Sequence, residues 1–450
     1  MKKVAFHNLG CKVNSYELDG ISQTFQKRGY EIVDFAQIAD IYVVNTCTVT
    51  NIADHKSRQM LSRARSKNPE AVVVATGCYV QTDPEKMKDL GVDIAVGNDH
   101  KSDIVDMVED YLNRRKDKAE PEIFVTDSSD FDGFEETPIS KTSGHTRAYI
   151  KIQDGCDQFC SYCAIPLARG RVRSRDPEDI KAEAARLAAS GCREIVITGI
   201  HISSYGLDVP YNEFAKGGGT NESLLEAVRI VADTEGIERV RLSSLEPRLL
   251  TGEFIQKLSD IKGLCPHFHL SLQSGSDSVL CRMRRHYTTA EYAEKAALLR
   301  DTFEHPAITT DIITGFPGET EEEFEQTREF LQKVNLYECH VFKYSRRRGT
   351  GAADMEGQLT DAVKSRRSSI LIADSKQRKH DFMSYYVGRN VEVLTEDTEV
   401  FENKRYSTGY TPEYVRCLLP ETDSGQITVT LCFEAGCDTI MCGPAQHFNR

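Results

Sequence analysis

Cys156, Cys160 and Cys163 fall within one short stretch, Cys-Asp-Gln-Phe-Cys-Ser-Tyr-Cys. Three thiolates at this spacing can hold three corners of an iron-sulfur cube and leave the fourth iron open to exchange. An open iron is a place where chemistry can happen. Zinc is the competing reading, because soft thiolates suit it equally and a distant His or Cys could complete its four ligands.

A second set of thiols is dispersed along the first part of the chain. Gly10-Cys11, Thr46-Cys47 and Gly77-Cys78 each follow a short apolar run, and the sequence predicts strands over 4–6, 41–44 and 71–75, with another at 93–96. Ligands in open parallel sheets gather at the carboxyl ends of strands. Cys11, Cys47 and Cys78 are therefore expected to converge as a second three-thiolate site, again with one metal position open. Two open centres in one chain imply that something passes between them. The plain alternative is three ordinary buried cysteines at strand ends.

The elements that must position these thiols read as an α/β protein in three parts. Residues 1–117 alternate strands and helices as an N-terminal parallel-sheet α/β domain, and 118–145, acidic and rich in Ser, Thr, Pro and Gly, reads as a linker. A strand at 148–152 delivers the Cys156 loop. Repeated β/α units over 146–380, with strands expected at 194–198, 240–243, 267–271, 308–313 and 340–344, predict a full or partial β/α barrel whose site lies at the carboxyl ends of its strands. Asp176 and Pro177 open a helix that Gly191 ends, and Thr320 with Glu323 forms a capping box. Residues 381–450 read as a small β-barrel. Its acids outnumber its bases, which weakens any purely electrostatic hold on RNA.

Polar or glycine-containing residues end each expected barrel strand, where a pocket belongs. Thr198 and Gly199 let backbone approach a ligand. Ser244 and Glu246 offer a hydroxyl and a carboxylate, Gln273 an amide, and Gly315 with Phe316 a floor against a flat ring. Arg285 and Arg347 carry guanidinium groups that match a carboxylate or a phosphate. His201, His267, His269 and His286 are read equally well as packing or surface residues.

Composition sets outer bounds. The 450 residues carry a net charge of −13, with 40% hydrophobic and 28% charged residues, as in a soluble globular protein of two or three domains. This charge argues against indiscriminate nucleic-acid binding. Local basic runs at 169–175, 282–286, 346–348 and 376–380 nonetheless suggest a phosphate-backbone footprint. No apolar stretch approaches the roughly 20 residues needed to span a bilayer, and the start does not continue into a signal-peptide core. The expected location is the cytoplasm. Of 14 cysteines, the eight outside the two triads are expected to be mainly small core residues, with a weak metal site conceivable from Cys432, Cys437 and Cys442.

The Cys-x3-Cys-x2-Cys spacing, with aromatic Tyr162 before the third cysteine, resembles the radical S-adenosylmethionine (SAM) superfamily. Gly10-Cys11-Lys12-Val13-Asn14, Asn45-Thr46-Cys47, Thr76-Gly77-Cys78, His269-Leu270-Ser271-Leu272-Gln273-Ser274-Gly275, Gly315-Phe316-Pro317-Gly318-Glu319-Thr320 and Phe342-Lys343-Tyr344-Ser345 extend the resemblance, over essentially the whole chain, to its methylthiotransferases. Their small C-terminal barrel is called TRAM. The Gly-Cys-Lys-Val-Asn form of the first motif, at 10–14, is similar to enzymes acting on threonylcarbamoyl-adenosine beside the tRNA anticodon. Relatives modifying isopentenyl-adenosine or a ribosomal protein tend to differ there. Arg348 and Gly351 depart from the proline that relatives often carry. The resemblance implies two 4Fe-4S clusters, one on each triad, and two SAM molecules. It also implies SAM contacts from Tyr162 and the strand-end residues above, a tRNA anticodon loop as substrate, a reductant such as flavodoxin or ferredoxin, and a sulfur donor. A rival of another class is a metal-stabilised RNA-binding protein without catalysis.

Overall fold

The computed structural model describes residues 1–114, 120–137, 139–140, 146–208 and 220–443. The first sheet is parallel, in the order β2-β1-β3-β4-β5-β6. Its strands are β1 (Lys3–Asn8), β2 (Glu31–Val33), β3 (Ile41–Thr46), β4 (Val72–Gly77), β5 (Ile94–Val96) and β6 (Glu122–Phe124). β3 and β4 are buried at every position, as central parallel strands covered on both faces must be. Alternation then splits them between two cores. Tyr42, Val44, Val73 and Ala75 pack on one face, and Ile41, Val43, Val72 and Val74 on the other.

β6 lies in the stretch read as a linker. Its Glu122, Ile123 and Phe124 pair with Ile94, Ala95 and Val96, so part of that polar segment completes the sheet edge. A short edge strand needs little core of its own, which is why composition alone concealed it. Residues 115–119, 138 and 141–145 of that stretch lie outside the described residues.

The second unit is a partial β/α barrel. It comprises β7 (Arg147–Asp154), β8 (Arg173–Ser174), β9 (Glu194–Gly199), β10 (Arg239–Leu242), β11 (His267–His269), β12 (Ala307–Thr314) and β13 (Glu338–Lys343). The order is β10-β9-β7-β8 in one sheet and β11-β12-β13 in another. Two isolated parallel bridges, Val240 to Leu264 and Leu245 to Leu270, join the two at β10 and β11. β8 runs antiparallel to β7 and the remaining pairs are parallel. The two helix signals hold: Asp176 caps Pro177–Ala189, and Thr320 with Glu323 forms a complete capping box on Glu321–Val334.

β14 (Asn390–Phe401), β15 (Lys404–Tyr410), β16 (Arg416–Pro420), β17 (Ile427–Ala435) and β18 (Ile440–Gly443) close into a five-stranded barrel. Its interior packs Val393, Cys417, Leu419, Cys432, Ile440 and Cys442, in one core with Ala307 and Tyr337 of the β/α barrel. Cys432 and Cys442 are thus core residues, whereas Cys437 is exposed and does not join them. Cys192, Cys265 and Cys339 are buried, but Cys281 is exposed. The β15–β16 loop caps the amino-terminal end of the β/α barrel. Arg239 donates to the Tyr410 carbonyl at 2.9 Å and Arg241 to the Pro412 carbonyl at 2.7 Å, while Arg241 and Arg147 stack over Tyr414.

The first sheet is joined to the β/α barrel by buried charge. Glu17, on the helix Lys12–Lys27, meets Arg169 at 2.8 Å, Lys151 at 3.1 Å, and Lys101. Asp154, at the end of β7, meets Arg169 at 3.0 Å and Lys151 at 2.9 Å. Burial would raise the Glu17 carboxyl, but Arg169, then Lys101 and Lys151, outweigh it and hold the carboxyl well below the usual carboxylate range. Glu17→Ala removes the carboxylate that Lys101 contacts and leaves Arg169 and Lys151 on Asp154 alone, and should cost about 3–5 kcal/mol in denaturant unfolding. Because the folded Glu17 carboxyl titrates below its unfolded value, its contribution is complete above that unfolded value and fades as pH falls through the folded one. The stability difference between wild type and Glu17→Gln should therefore be flat at neutral pH and shrink below about pH 4.

Candidate active site

Each N-terminal cysteine sits just past a strand. Cys11 caps the helix Lys12–Lys27, Cys47 follows β3, and Cys78 opens the short helix Cys78–Thr82 after β4. Gly10 and Gly77 adopt φ of 135° and 99°. A Cβ at Gly77 would lie 2.4 Å from Asn45 Oδ1, and one at Gly10 would lie 3.2 Å from the Cys47 Cβ, so both turns depend on glycine. Asn14 ties the loops together. Its Nδ2 donates to the Leu9 and Thr46 carbonyls, each at 3.1 Å, and its Oδ1 accepts from Arg169 at 2.8 Å. Asn98 Nδ2 lies 3.6 Å from the Cys78 sulfur.

All three thiols open into one cavity of about 670 Å³. Its lining includes Thr198, Gly199 and Ser244 from the strand-end residues singled out by sequence, and Ala164 and Ile165 just after Cys163. Deeper in the barrel come His267, His269, Asp311, His340 and Tyr414. Lys12 also faces this space, where solvent reaches its side chain; the protein packed around it, with Arg147 and Arg241 nearby, lowers its ammonium to about 8.

The Cys156 loop is fixed by backbone bonds. Cys156 N–H donates to the Gly170 carbonyl at 3.0 Å, Cys163 N–H to the Cys160 carbonyl at 3.0 Å, and Ser161 N–H to the Met283 carbonyl at 3.0 Å. Phe159 takes a φ of 46°. Arg285 donates to the Cys160 sulfur at 3.1 Å, to Glu246 at 2.7 Å and to the Tyr287 hydroxyl at 2.9 Å. Glu246 and Arg285 therefore hold each other beside the thiol. Tyr162 packs with Val279, Met283, Phe316 and Tyr344.

Other expected contacts lie elsewhere. Phe316 is fully buried against Tyr344, with ring centroids 5.6 Å apart, and offers no open floor. Gly315, at φ 73°, makes room for Lys364, whose Cγ would lie 2.4 Å from an added Cβ. Gln273, at φ 75°, pairs its backbone with Asp311 and Ile313. Arg347 spends its terminal nitrogens on Asp54 at 2.6 Å and on Thr48 and Asn51 at 2.7 Å, bridging to the Cys47 loop. The basic run at 169–175 turns inward: Arg169, Arg173 and Arg175 are buried, and Arg171 alone of the four is exposed, stacked over Phe159. His201 lies beside Glu246 at 3.6 Å, and His286 is exposed.

Sequence reading missed Asn14, Glu17, Asp154 and Arg169 as supports. The one available signal was polar residues at helical spacing directly after Cys11, together with Asp154 just before Gly155 and Cys156.

The donor chemistry fits iron-sulfur clusters. Burial pushes Cys47, Cys156 and Cys163 up to about 12, and the protein around Cys11 raises its thiol although solvent reaches it through the cavity, so these sulfurs stay protonated unless a metal displaces the proton. Arg169 opposes the rise at Cys11. Among the described residues no three His, Cys, Asp or Glu groups are placed to hold a single ion. Gly155, at φ 70°, leaves no room for a side chain, since a Cβ would lie 1.7 Å from the Arg171 carbonyl. Gly155→Ala should displace the loop and leave reconstituted protein with roughly half the wild-type iron. Gly252→Ala, where the Cβ meets nothing within 4 Å, should keep it all.

Comparison with known proteins agrees with this geometry. Residues 150–331 match the model of the radical SAM superfamily, and residues 3–97 that of the uncharacterized protein family UPF0004. The chain is 41% identical to the threonylcarbamoyladenosine tRNA methylthiotransferase of Bacillus subtilis (strain 168), over 97% of this chain and 95% of that protein. It is 33% identical to the tRNA-2-methylthio-N(6)-dimethylallyladenosine synthase of Clostridium botulinum (strain Langeland), over 86% of this chain and 85% of that protein. The radical S-adenosylmethionine methyltransferase TsrM of Kitasatospora setae shares the fold, with a TM-score of 0.57 at 18% identity over 78% of this chain and 77% of that one. With such identity across nearly its full length, and with its cysteines gathered at strand ends as described, the chain belongs to the radical SAM tRNA methylthiotransferase family.

Proposed function

We propose that this enzyme places a methylthio group on carbon 2 of the adenine in threonylcarbamoyl-adenosine, next to the anticodon of tRNA. In this reading Cys156, Cys160 and Cys163 hold one 4Fe-4S cluster, Cys11, Cys47 and Cys78 hold a second, and two SAM molecules serve different roles. When bound, these groups supply one-electron cleavage of a SAM sulfonium and a sulfur that SAM methylates. The observation that carries the proposal is the single cavity that takes in the N-terminal thiols and extends to the residues following Cys163.

The chain's own residues then have distinct tasks. Arg285, braced by Glu246 and Tyr287, orients the Cys160 sulfur and offsets its negative charge once deprotonated. Asn14 and Asn98 hold the loops of the N-terminal thiols. Thr198, Gly199 and Ser244 line the stretch in which a ligand could lie between the two sets. Tyr337 and Tyr414 wall the inner end of the cavity, and the proposed radical chemistry requires that bound substrate close its open side to solvent. The relatives at 36–41% identity, all named threonylcarbamoyladenosine tRNA methylthiotransferases, favour that nucleoside over dimethylallyl-adenosine. The reading further supposes a one-electron reductant such as flavodoxin or ferredoxin, a sulfur donor and a cytoplasmic setting. Among the described residues no helix is long and apolar enough to cross a membrane.

Cys156→Ala should abolish formation of 5′-deoxyadenosine, whereas Cys11→Ala should retain it and lose the methylthio product. Mass spectrometry of the small-molecule fraction of the reaction reads the first product, and of nucleosides digested from the treated tRNA the second. Methylthiolation by Cys11→Ala at the wild-type rate would remove the second cluster from the proposal, and product on dimethylallyl-adenosine alone would redirect the substrate.

A further inference from the structure

The inner half of the cavity holds a solvent-reached cation that no carboxylate contacts directly. Lys12, one residue from Cys11, opens into the cavity and makes no hydrogen bond or ion pair among the described residues. The neighbouring cations are already engaged: Arg241 with Glu194 at 2.8 Å, Arg147 with Glu396 at 3.4 Å, and Arg169 with Glu17 and Asp154. Asp311 attracts Lys12 but stands beside His269 at 3.4 Å, and His269 in turn stacks on His340. His267, over nine-tenths buried in the same lining, leaves its Nδ1 without a partner. A solvated ammonium with no direct ion pair and an orphaned imidazole nitrogen, both lining one cavity, match a ligand bearing an anion and further polar groups, because a ligand filling the space strips the water from the ammonium.

Building on the threonylcarbamoyl-adenosine reading, we propose that Lys12 determines substrate choice by binding the carboxylate of the threonylcarbamoyl group, with His267 taking one of that group's neutral polar atoms. The chemistry of the two candidate substituents separates them. A dimethylallyl group carries no charge and no hydrogen-bonding atom, and would bury Lys12 and His267 unsatisfied. A threonylcarbamoyl group offers a carboxylate, a hydroxyl and carbamoyl N–H and C=O groups. The position also suits the reaction: carbon 2 and the N6 substituent flank N1 on the same edge of adenine, so a group read beside Cys11 brings carbon 2 toward the same thiols.

The test uses reconstituted holoenzyme and three anticodon stem-loop RNAs. One carries threonylcarbamoyl-adenosine, the second its threoninamide analogue with the carboxylate replaced by a carboxamide, and the third dimethylallyl-adenosine. Equilibrium binding and kcat/KM are measured for each, with iron content confirming that every variant is loaded. Wild type should favour the carboxylate over the amide by about tenfold or more, Lys12→Met should treat the two alike, and Lys12→Arg should keep a preference. Equal use of acid and amide by wild type, or an undiminished preference in Lys12→Met, would overturn the role of Lys12 while leaving the substrate reading intact. Turnover of the dimethylallyl RNA alone would overturn both. Should Lys12→Met fail to load iron, the wild-type comparison of acid with amide decides, since it needs no variant.

Discussion

One guanidinium holds the two thiol sets in register. Arg169 lies six residues beyond Cys163 and reaches Asp154, two residues before Cys156, while also contacting Glu17 and Asn14, on the first turns of the helix that begins after Cys11. Charges this deeply buried add little net stability, because desolvation consumes most of their mutual attraction. Their directional hydrogen bonds instead permit few alternative arrangements. For the proposed transfer between two centres, a fixed spacing is worth more than a slightly more stable core. Arg347 makes a second such link at the opposite rim, from the Thr350 turn to Asp54 and Thr48 beside Cys47.

The C-terminal barrel has a structural consequence beyond any contact with RNA. Its β15–β16 loop seals the amino-terminal end of the β/α barrel, with Tyr414 stacked beneath Arg147 and Arg241 and packed near His267. The loop carbonyls accept from Arg239 and Arg241 and so satisfy cations that would otherwise face the lumen. Sealing one end leaves the carboxyl ends of the strands as the open side, where the cysteines lie. This also accounts for an acidic module in a tRNA-modifying enzyme, since holding the barrel end shut requires no positive potential.

Much of the fold was legible in the sequence because its signals are local. Apolar runs marked the central strands, and Asp176, Pro177 and the Thr320–Glu323 box marked helix starts where they occur. The edge strand Glu122–Phe124 was hidden because it pairs along one side only and borrows the sheet's core. Of the strand-end residues, Thr198, Gly199 and Ser244 reached the cavity, whereas Phe316 and Arg347 were taken up by packing and by an interface. A side chain's partners lie across the fold, and a strand-end position does not reveal whether a neighbour already occupies the group.

The sequence by itself determined which residues could bind metal, since six cysteines at short spacing or directly after apolar runs are a chemical pattern that survives without coordinates. It also determined the alternation of strands and helices that brings such residues to one end of a sheet. Only the tertiary structure decided which polar groups are spent and which remain free. Arg169, Arg173 and Arg175 read as a basic surface and proved to be buried, whereas Lys12, inconspicuous within its motif, remains unpaired in the cavity. The reason is physical: charge is a property of a residue, but its compensation depends on partners more than a hundred positions away, such as Glu17 for Arg169, and only folding brings them together.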